Sequence, residues 1–430
     1  MQRLIGPFLE YRFTWILDTL RRSDYGRLET TGETYVNYMS GAIYPESLIR
    51  AHLEFLNRSI LGNTHSVSNI SCARYSKLSG KCADDARAAV LVFFRASSDE
   101  YTIVFTPNAT GALKLVDEAY PFSGGSSYVL SCDFQFVKDS APCLFALTGQ
   151  SKISNTKNAL SIIEYAAALA ALAATSTISL SDCRANTMAV SFYEVFGFPT
   201  GVGVLVVKKL FLMQLKRPWF AGGNIDVVQV PGTIVTTTCE IPHVAAVKKD
   251  FRHCDIISLD FSFLVVAPVS FRADSHLNPV RCCCILAYCI HCDAMYVPTD
   301  DMLPDSFVEY SASTMNISLK LRTGCLCNPG GAAAILGIQD DMKRLYEGVT
   351  LKDFESVVGR ELGVVHISLG LASNFQDAWN VVRFAGLLAT EMARAALWER
   401  FILQRHTGLL RPKAPGNQPG QIWLEIPDRA

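Results

Sequence analysis

An α/β fold on a mainly parallel sheet, followed by a smaller α+β domain, is what this sequence predicts. Two observations carry that reading. Short β-rich runs alternate with apolar residues at helical spacing through the first half of the chain, the order that βαβ units produce. Past residue 305 the order changes to one β-rich run followed by a long helical pattern.

Taken in order, the opening MQRLIGPFLEYRFTWILDTLRR interleaves apolar side chains with Glu10, Arg12 and Asp18. It reads as an amphipathic helix, because a secretion signal needs an unbroken apolar core. Residues 46–59 and 109–119 repeat apolar side chains every three or four positions and predict helices that pack on a sheet face. Strands are predicted at 101–105, 127–130, 189–192 and 202–207. Near the C-terminal end, 364–369 reads as a strand and 374–403 as one long helix capped by Asn374 or Ser373. Pro412, Pro415, Gly416, Pro419 and Gly420 make 406–430 a flexible tail. The expected organisation is an N-terminal helical segment (1–30), a large domain (31–250), an irregular insert (251–304), a small C-terminal domain (305–405) and the tail. There is no internal repeat.

The insert breaks the pattern. Residues 253–297 lose all period and cluster Cys282, Cys283, Cys284, Cys289 and Cys292. Cys289, His291 and Cys292 lie close enough to suggest zinc, but the two paired ligand motifs of a zinc site are missing, so no metal is expected. An irregular insert, or translated sequence from a mis-spliced transcript, describes the segment better.

Composition narrows the function. A chain of 430 residues, 50% hydrophobic and 18% charged, can bury a large core. With 39 basic against 40 acidic residues and no long single-sign run, nothing draws it onto nucleic acid or an anionic membrane. Its longest apolar runs, at 165–180 and 261–271, are shorter than the roughly 20 residues that span a bilayer. A cytoplasmic protein is therefore expected, with its 14 cysteines reduced and mostly serving as small buried apolar residues.

Two stretches carry chemistry. RTGCLCNPG, from Arg322, sets two cysteines beside a cation on a Gly/Pro-rich turn, and a neighbouring cation favours the nucleophilic thiolate. By composition alone, a reactive thiol and a structural loop with incidental thiols fit equally. VSFYEVFGFPTGVG, from Val190, is a strand running into a Gly/Pro turn. Its Gly201 and Gly203 are no dinucleotide fingerprint, since the third glycine and the following helix are missing.

These stretches resemble the molybdenum cofactor sulfurases. SFYEVFGFPTGVGVLVV from Ser191 is similar to their lysine-bearing block, and RTGCLCNPG to their persulfide-carrying loop. With LGNTHS from Leu61, FTPNAT from Phe105, WFAGG from Trp219 and ISLGLASN from Ile367, the resemblance runs in order over residues 35–396. It implies the class V aminotransferase form of the fold-type I pyridoxal-phosphate transferases, a cysteine desulfurase ancestry, and, in the parent enzyme, sulfur delivery to the molybdenum cofactor. It also implies pyridoxal phosphate as cofactor, a small molecule or sulfur acceptor as partner, and a homodimer as the assembly to look for. The separate cofactor-binding C-terminal domain of full sulfurases is not expected within these residues.

Carried over residue by residue, the resemblance gives a mixed site. Ala109 and Thr110 open a helix after a strand, where backbone N–H groups receive a phosphate, and Ser191 and Tyr193 match further phosphate contacts. Arg322 matches the arginine that pairs with a substrate carboxylate, and Cys327 the persulfide carrier. Each is equally a residue kept by packing after its task has lapsed. Position 194, the family's Schiff-base lysine, is Glu194. A carboxylate forms no imine, so covalent attachment of the cofactor there is impossible. The acid that pairs with the pyridine nitrogen falls on Ala168, with Glu164 the nearest acid, and the stacking histidine falls on Phe134, which transfers no proton. Three such losses argue against desulfurase chemistry. Besides a sulfurase-like protein, two readings stay open: an enzyme of a specialised biosynthetic pathway that uses Glu194 as a buried acid or base without pyridoxal phosphate, and a non-catalytic pseudoenzyme. Lys208 is the alternative lysine for a cofactor.

Overall fold

The computed structural model describes residues 15–38, 40–62, 73–123, 178–198, 201–216, 303–314, 318–324 and 329–407. It also describes strand segments at 128–131, 144–148, 168–170, 225–228, 235–237 and 288–289. In chain order the elements begin with α1 (Trp15–Asp24), α2 (Arg27–Thr30), β1 (Thr34–Tyr35), α3 (Glu46–Arg58), α4 (Ala73–Phe93), β2 (Tyr101–Thr106) and α5 (Ala109–Ala119). Next come β3 (Tyr128–Ser131), β4 (Leu144–Thr148), β5 (Ala168–Ala170), α6 (Leu180–Cys183), β6 (Thr187–Ser191), α7 (Phe192–Phe196), β7 (Gly203–Lys208) and α8 (Lys209–Leu212). The hairpin strands β8 (Ile225–Val228) and β9 (Val235–Thr237), β10 (Tyr288–Cys289), α9 (Asp305–Thr314) and β11 (Leu319–Lys320) follow. The last elements are α10 (Pro329–Leu336), α11 (Leu351–Val358), β12 (His366–Ile367), α12 (Phe375–Ala389) and α13 (Glu391–Thr407).

The main sheet has the strand order β2-β7-β6-β5-β4-β3. Pairs β3–β4, β4–β5 and β5–β6 are parallel, and β7 alone runs against its neighbours β6 and β2. The mainly parallel sheet is thus as the sequence predicted. Strand β6 is buried along its whole length and β7 along all but its last residue, as strands covered on both faces must be. Alternate side chains divide between the two faces. Val104, Ala189, Leu205 and Val207 meet Ala112, Leu115, Val116 and Ala119 of α5, which recur at i, i+3, i+4 and i+7. Ile103, Phe105, Met188, Val190, Val204 and Val206 meet Ala83, Ala86 and Val90 of α4 on the other face.

A second core joins Val36, Phe307, Leu319, Ile367, Phe384, Leu388 and Phe401. Strand β1 pairs in parallel with β11, and Asn37 bridges to Ser368, so residues 34–37 join the C-terminal elements and not the main sheet. Helix α1 is tied there too, by a buried ion pair between Arg21 and Asp377 at 2.6 Å.

Two expectations are corrected in detail. The strand predicted over 364–369 is only His366–Ile367, extended by the Ser368 bridge, because its partners Tyr288–Cys289 and Asn37 are themselves short. The single helix predicted over 374–403 is two helices. Thr390 is extended (φ −80°, ψ 114°) and donates its hydroxyl to Gly386 O at 3.0 Å, closing α12. Of the two candidate caps, Asn374 is the one used, in a capping box with Asp377. No described helix is long and apolar enough to cross a membrane. Among the described residues no cluster of His, Cys, Asp and Glu could hold a metal ion. The insert's cysteines other than Cys289, and the tail from 408, lie outside the described residues.

Candidate functional site

The site begins where β2 ends. Asn108 caps α5, its side chain accepting from Gly111 N at 2.8 Å, and Thr106 Oγ1 donates to Asn108 O at 2.9 Å. Ala109 N donates to Ser191 Oγ at 2.8 Å, and Ser191 is 3% exposed at the end of β6. Gly203 pairs with Thr106 on one side and Ser191 on the other. A Cβ there would lie 2.6 Å from both Asn108 Cα and Val190 O, so only glycine lets the capping turn sit across the strand ends. The structure therefore brings Ala109, Thr110 and Ser191 together at the carboxyl ends of β2 and β6, where ligands of open α/β sheets bind. The helix start is partly satisfied from within: Ser191 takes the Ala109 N–H and Asn108 that of Gly111, which leaves exposed Thr110 at the mouth.

From Ser191 the chain turns directly into α7. Phe192 is buried and Val195 and Phe196 pack against the core, which at about 100° per residue turns Tyr193 and Glu194 outward. Both are half-buried. Glu194 is thus not the buried acid that its apolar neighbours in sequence suggested. Gly197 (φ +76°) closes α7 so tightly that a Cβ would come within 2.7 Å of the backbone of residues 42–44.

That neighbouring segment, 37–44, escaped the sequence reading and ties the site together. Ala42 N donates to Tyr193 O at 3.0 Å, and Gly41 lies beside the Tyr193 ring. Two residues earlier, Ser40 Oγ accepts from Arg322 Nη1 at 2.8 Å and donates to Asn37 Oδ1 at 2.5 Å. Arg322 itself is held by a bridge to His366, with N–H···O distances of 3.2 and 2.7 Å. Two residues of chain span at most about 7 Å, so Arg322 and α7 border one region although 128 positions separate Glu194 from Arg322 in sequence. The only sequence signal was the small-residue run Ser40-Gly41-Ala42 between tyrosines.

Two other candidates fall elsewhere. Position 168 opens β5 level with Thr187, four residues short of Ser191 along the sheet, roughly 13 Å away. Ala168 is therefore not at the pocket, and a lost acid at that position is no longer an argument. Lys208 ends β7 five residues from Gly203, roughly 17 Å along the strand, where its Nζ donates to Arg184 O at 2.8 Å. It does not serve the site. Cys327, Phe134 and Glu164 lie outside the described residues. Cys82 and Cys183 are buried thiols, and burial pushes both above the usual thiol range.

No profile of a known protein family matches the chain. Two solved structures share its fold. A cysteine desulfurase from Thermococcus onnurineus NA1 has a TM-score of 0.56 at 16% identity, covering 88% of this chain and 98% of its own. One from Escherichia coli has a TM-score of 0.52 at 15% identity, covering 86% and 97%. The architecture is that of the fold-type I pyridoxal-phosphate transferases. Sequence relatives are more specific: molybdenum cofactor sulfurase of Bos taurus is 28% identical over 471 residues, 87% of this chain and 52% of the relative. That of Solanum lycopersicum is 25% identical over 488 residues, 90% and 59%. The human protein is 25% identical over 475 residues, 89% and 52%. The curated homologues of this chain are thus molybdenum cofactor sulfurases, and it spans a little over half of their length.

Proposed function

We propose that this is a sulfurase-like protein whose pocket holds no pyridoxal phosphate covalently and runs no desulfurase chemistry. Glu194 carries the reading. It follows Tyr193 on the helix that grows out of Ser191, beside the segment that binds Arg322, so the block that would present an amine presents a carboxylate. The residues present fit an anion in part: the Thr110 N–H, the start of α5 and the Ser191 hydroxyl suit a phosphate. They do not fit covalent attachment, since neither Glu194 nor distant Lys208 offers an imine partner, and no step is assigned to the cofactor. Arg322 and Cys327 retain the residue types of a carboxylate binder and a persulfide acceptor, for which the persulfide would come from another protein.

The test is to incubate purified protein with pyridoxal phosphate, reduce it with borohydride and map adducts by mass, while assaying sulfide released from cysteine. The expected result is neither adduct nor sulfide. Glu194→Lys should gain an adduct at residue 194 yet release little sulfide, because Phe134 cannot transfer the proton that a histidine would. Sulfide release by the wild-type chain, or a modified lysine elsewhere, would overturn the proposal.

A further inference from the structure

The start of α9 rests on the turn that precedes β12. Ser306 donates to Glu361 twice, from N to Oε2 at 3.1 Å and from Oγ to Oε1 at 2.7 Å, so Glu361 sits as an anion at the positive end of the helix. Arg405 of α13 lies 3.6 Å from the same carboxylate. Asp305 is hydrogen-bonded to Glu361 as well, and two carboxyl groups make that contact only with a proton between them. The Asp305 carboxyl lies on Gly363, where any Cβ would come within 1.8 Å of Oδ2. The same two elements grip the chain just past Arg322: Thr323 Oγ1 donates to Glu309 of α9 at 3.1 Å, and Val364 N donates to Gly324 O at 3.1 Å.

We propose that Asp305 and Glu361 form a proton-held clasp between α9 and the 361–364 turn, which opens when Asp305 ionises and so sets how firmly residues 322–324 are held beside segment 37–44. The clasp is independent of the reading of Glu194, since stability and exchange report it without turnover.

The surrounding charges agree with it. Burial, the hydrogen bond to Glu361 and its charge push Asp305 from 3.8 up to about 6, with Glu355 of α11 adding to the rise. Burial works to raise Glu361 too, but its bonds from Ser306 and Asp305 and the charge of Arg405 outweigh it and hold Glu361 below the usual carboxylate value. Glu355 accepts from Leu362 N at 2.9 Å, and Arg360 on the turn donates to Leu336 O, so Arg405 is the cation that faces the pair. Because the folded value of Asp305 lies above its unfolded one, its contribution is complete below pH 4 and is lost as the pH rises past about 6. Glu361, lowered, contributes above its ordinary 4.5 and loses that contribution in stronger acid. The clasp is therefore tightest between these limits.

Asp305→Asn keeps a donor to Glu361 and cannot ionise. Its advantage over wild type in urea midpoint should widen from pH 5 to pH 7.5, because wild type keeps losing the Asp305 contribution over that range. In wild type, exchange of the 319–324 amides, corrected for intrinsic rate, should slow several-fold between pH 7.5 and 5.5, within a ceiling of roughly a hundredfold for a displacement of about two pH units. The variant should show no such change. A gap between the two proteins that is flat with pH would overturn the clasp. If the variant fails to fold, carbon-13 titration of the wild-type Asp305 carboxyl decides: a midpoint near 6 supports the clasp, and one near 4 refutes it.

Discussion

Gly203→Ala is a small change with a large expected effect. The added Cβ meets backbone on both sides, Asn108 Cα in the capping turn and Val190 O on β6, both at 2.6 Å. Restoring ordinary contact at 3.4 Å requires about 0.8 Å of movement in backbone that the sheet fixes. Overpacking of this kind costs about 1–3 kcal/mol. The displaced turn also stretches the 2.8 Å bond from Ala109 N to Ser191 Oγ, a further ~1 kcal/mol. The sum is roughly 2–4 kcal/mol of lost stability. Gly386→Ala is the control. Gly386 lies exposed inside α12 with nothing within 4 Å of a new Cβ, so the same chemical change should stabilise by about 0.5–1 kcal/mol. Urea midpoints at unchanged slope measure both, and faster amide exchange at Ala109 and Gly111 would locate the damage. A Gly203→Ala protein within ~0.5 kcal/mol of wild type, or shifted in the same direction as the control, would show that the capping turn does not depend on that close approach.

Arg21→Met should lower stability by about 3–5 kcal/mol, because it leaves the Asp377 carboxylate, 3% exposed, without the guanidinium that binds it at 2.6 and 3.3 Å. A loss below ~1 kcal/mol in the urea midpoint would mean that water reaches the pair. Brief, limiting iodoacetamide should label Cys327 before Cys82 and Cys183, whose burial suppresses the thiolate. Labelling confined to Cys282, Cys283 and Cys284, with Cys327 untouched, would count against a sulfur-carrying role.

Sequence alone determined whatever depends on neighbours along the chain. Helix α5 was legible because its apolar side chains recur at i, i+3, i+4 and i+7, and β2, β6 and β7 because they are short β-rich runs between turns. Asn374 was legible as a cap from its residue type. That residue 194 forms no imine is a matter of its side chain, which no tertiary contact alters. Tertiary structure decided the rest. The end of α12 at Thr390 was invisible because apolar spacing continues through it, and only packing of α12 and α13 on one core favours the break. The partial burial of Glu194 depends on which face of a five-residue helix the core claims. Ala168, read as a lost acid, and Lys208, the alternative lysine, bore on the site until strand register set them at the far ends of their strands. The meetings of Arg322 with Ser40, Ala109 with Ser191, and residues 34–37 with Leu319 and Ser368 join distant segments. Period and capping leave a local pattern because they are satisfied within a few residues, whereas pairing and packing between distant segments are satisfied only once both are folded against each other.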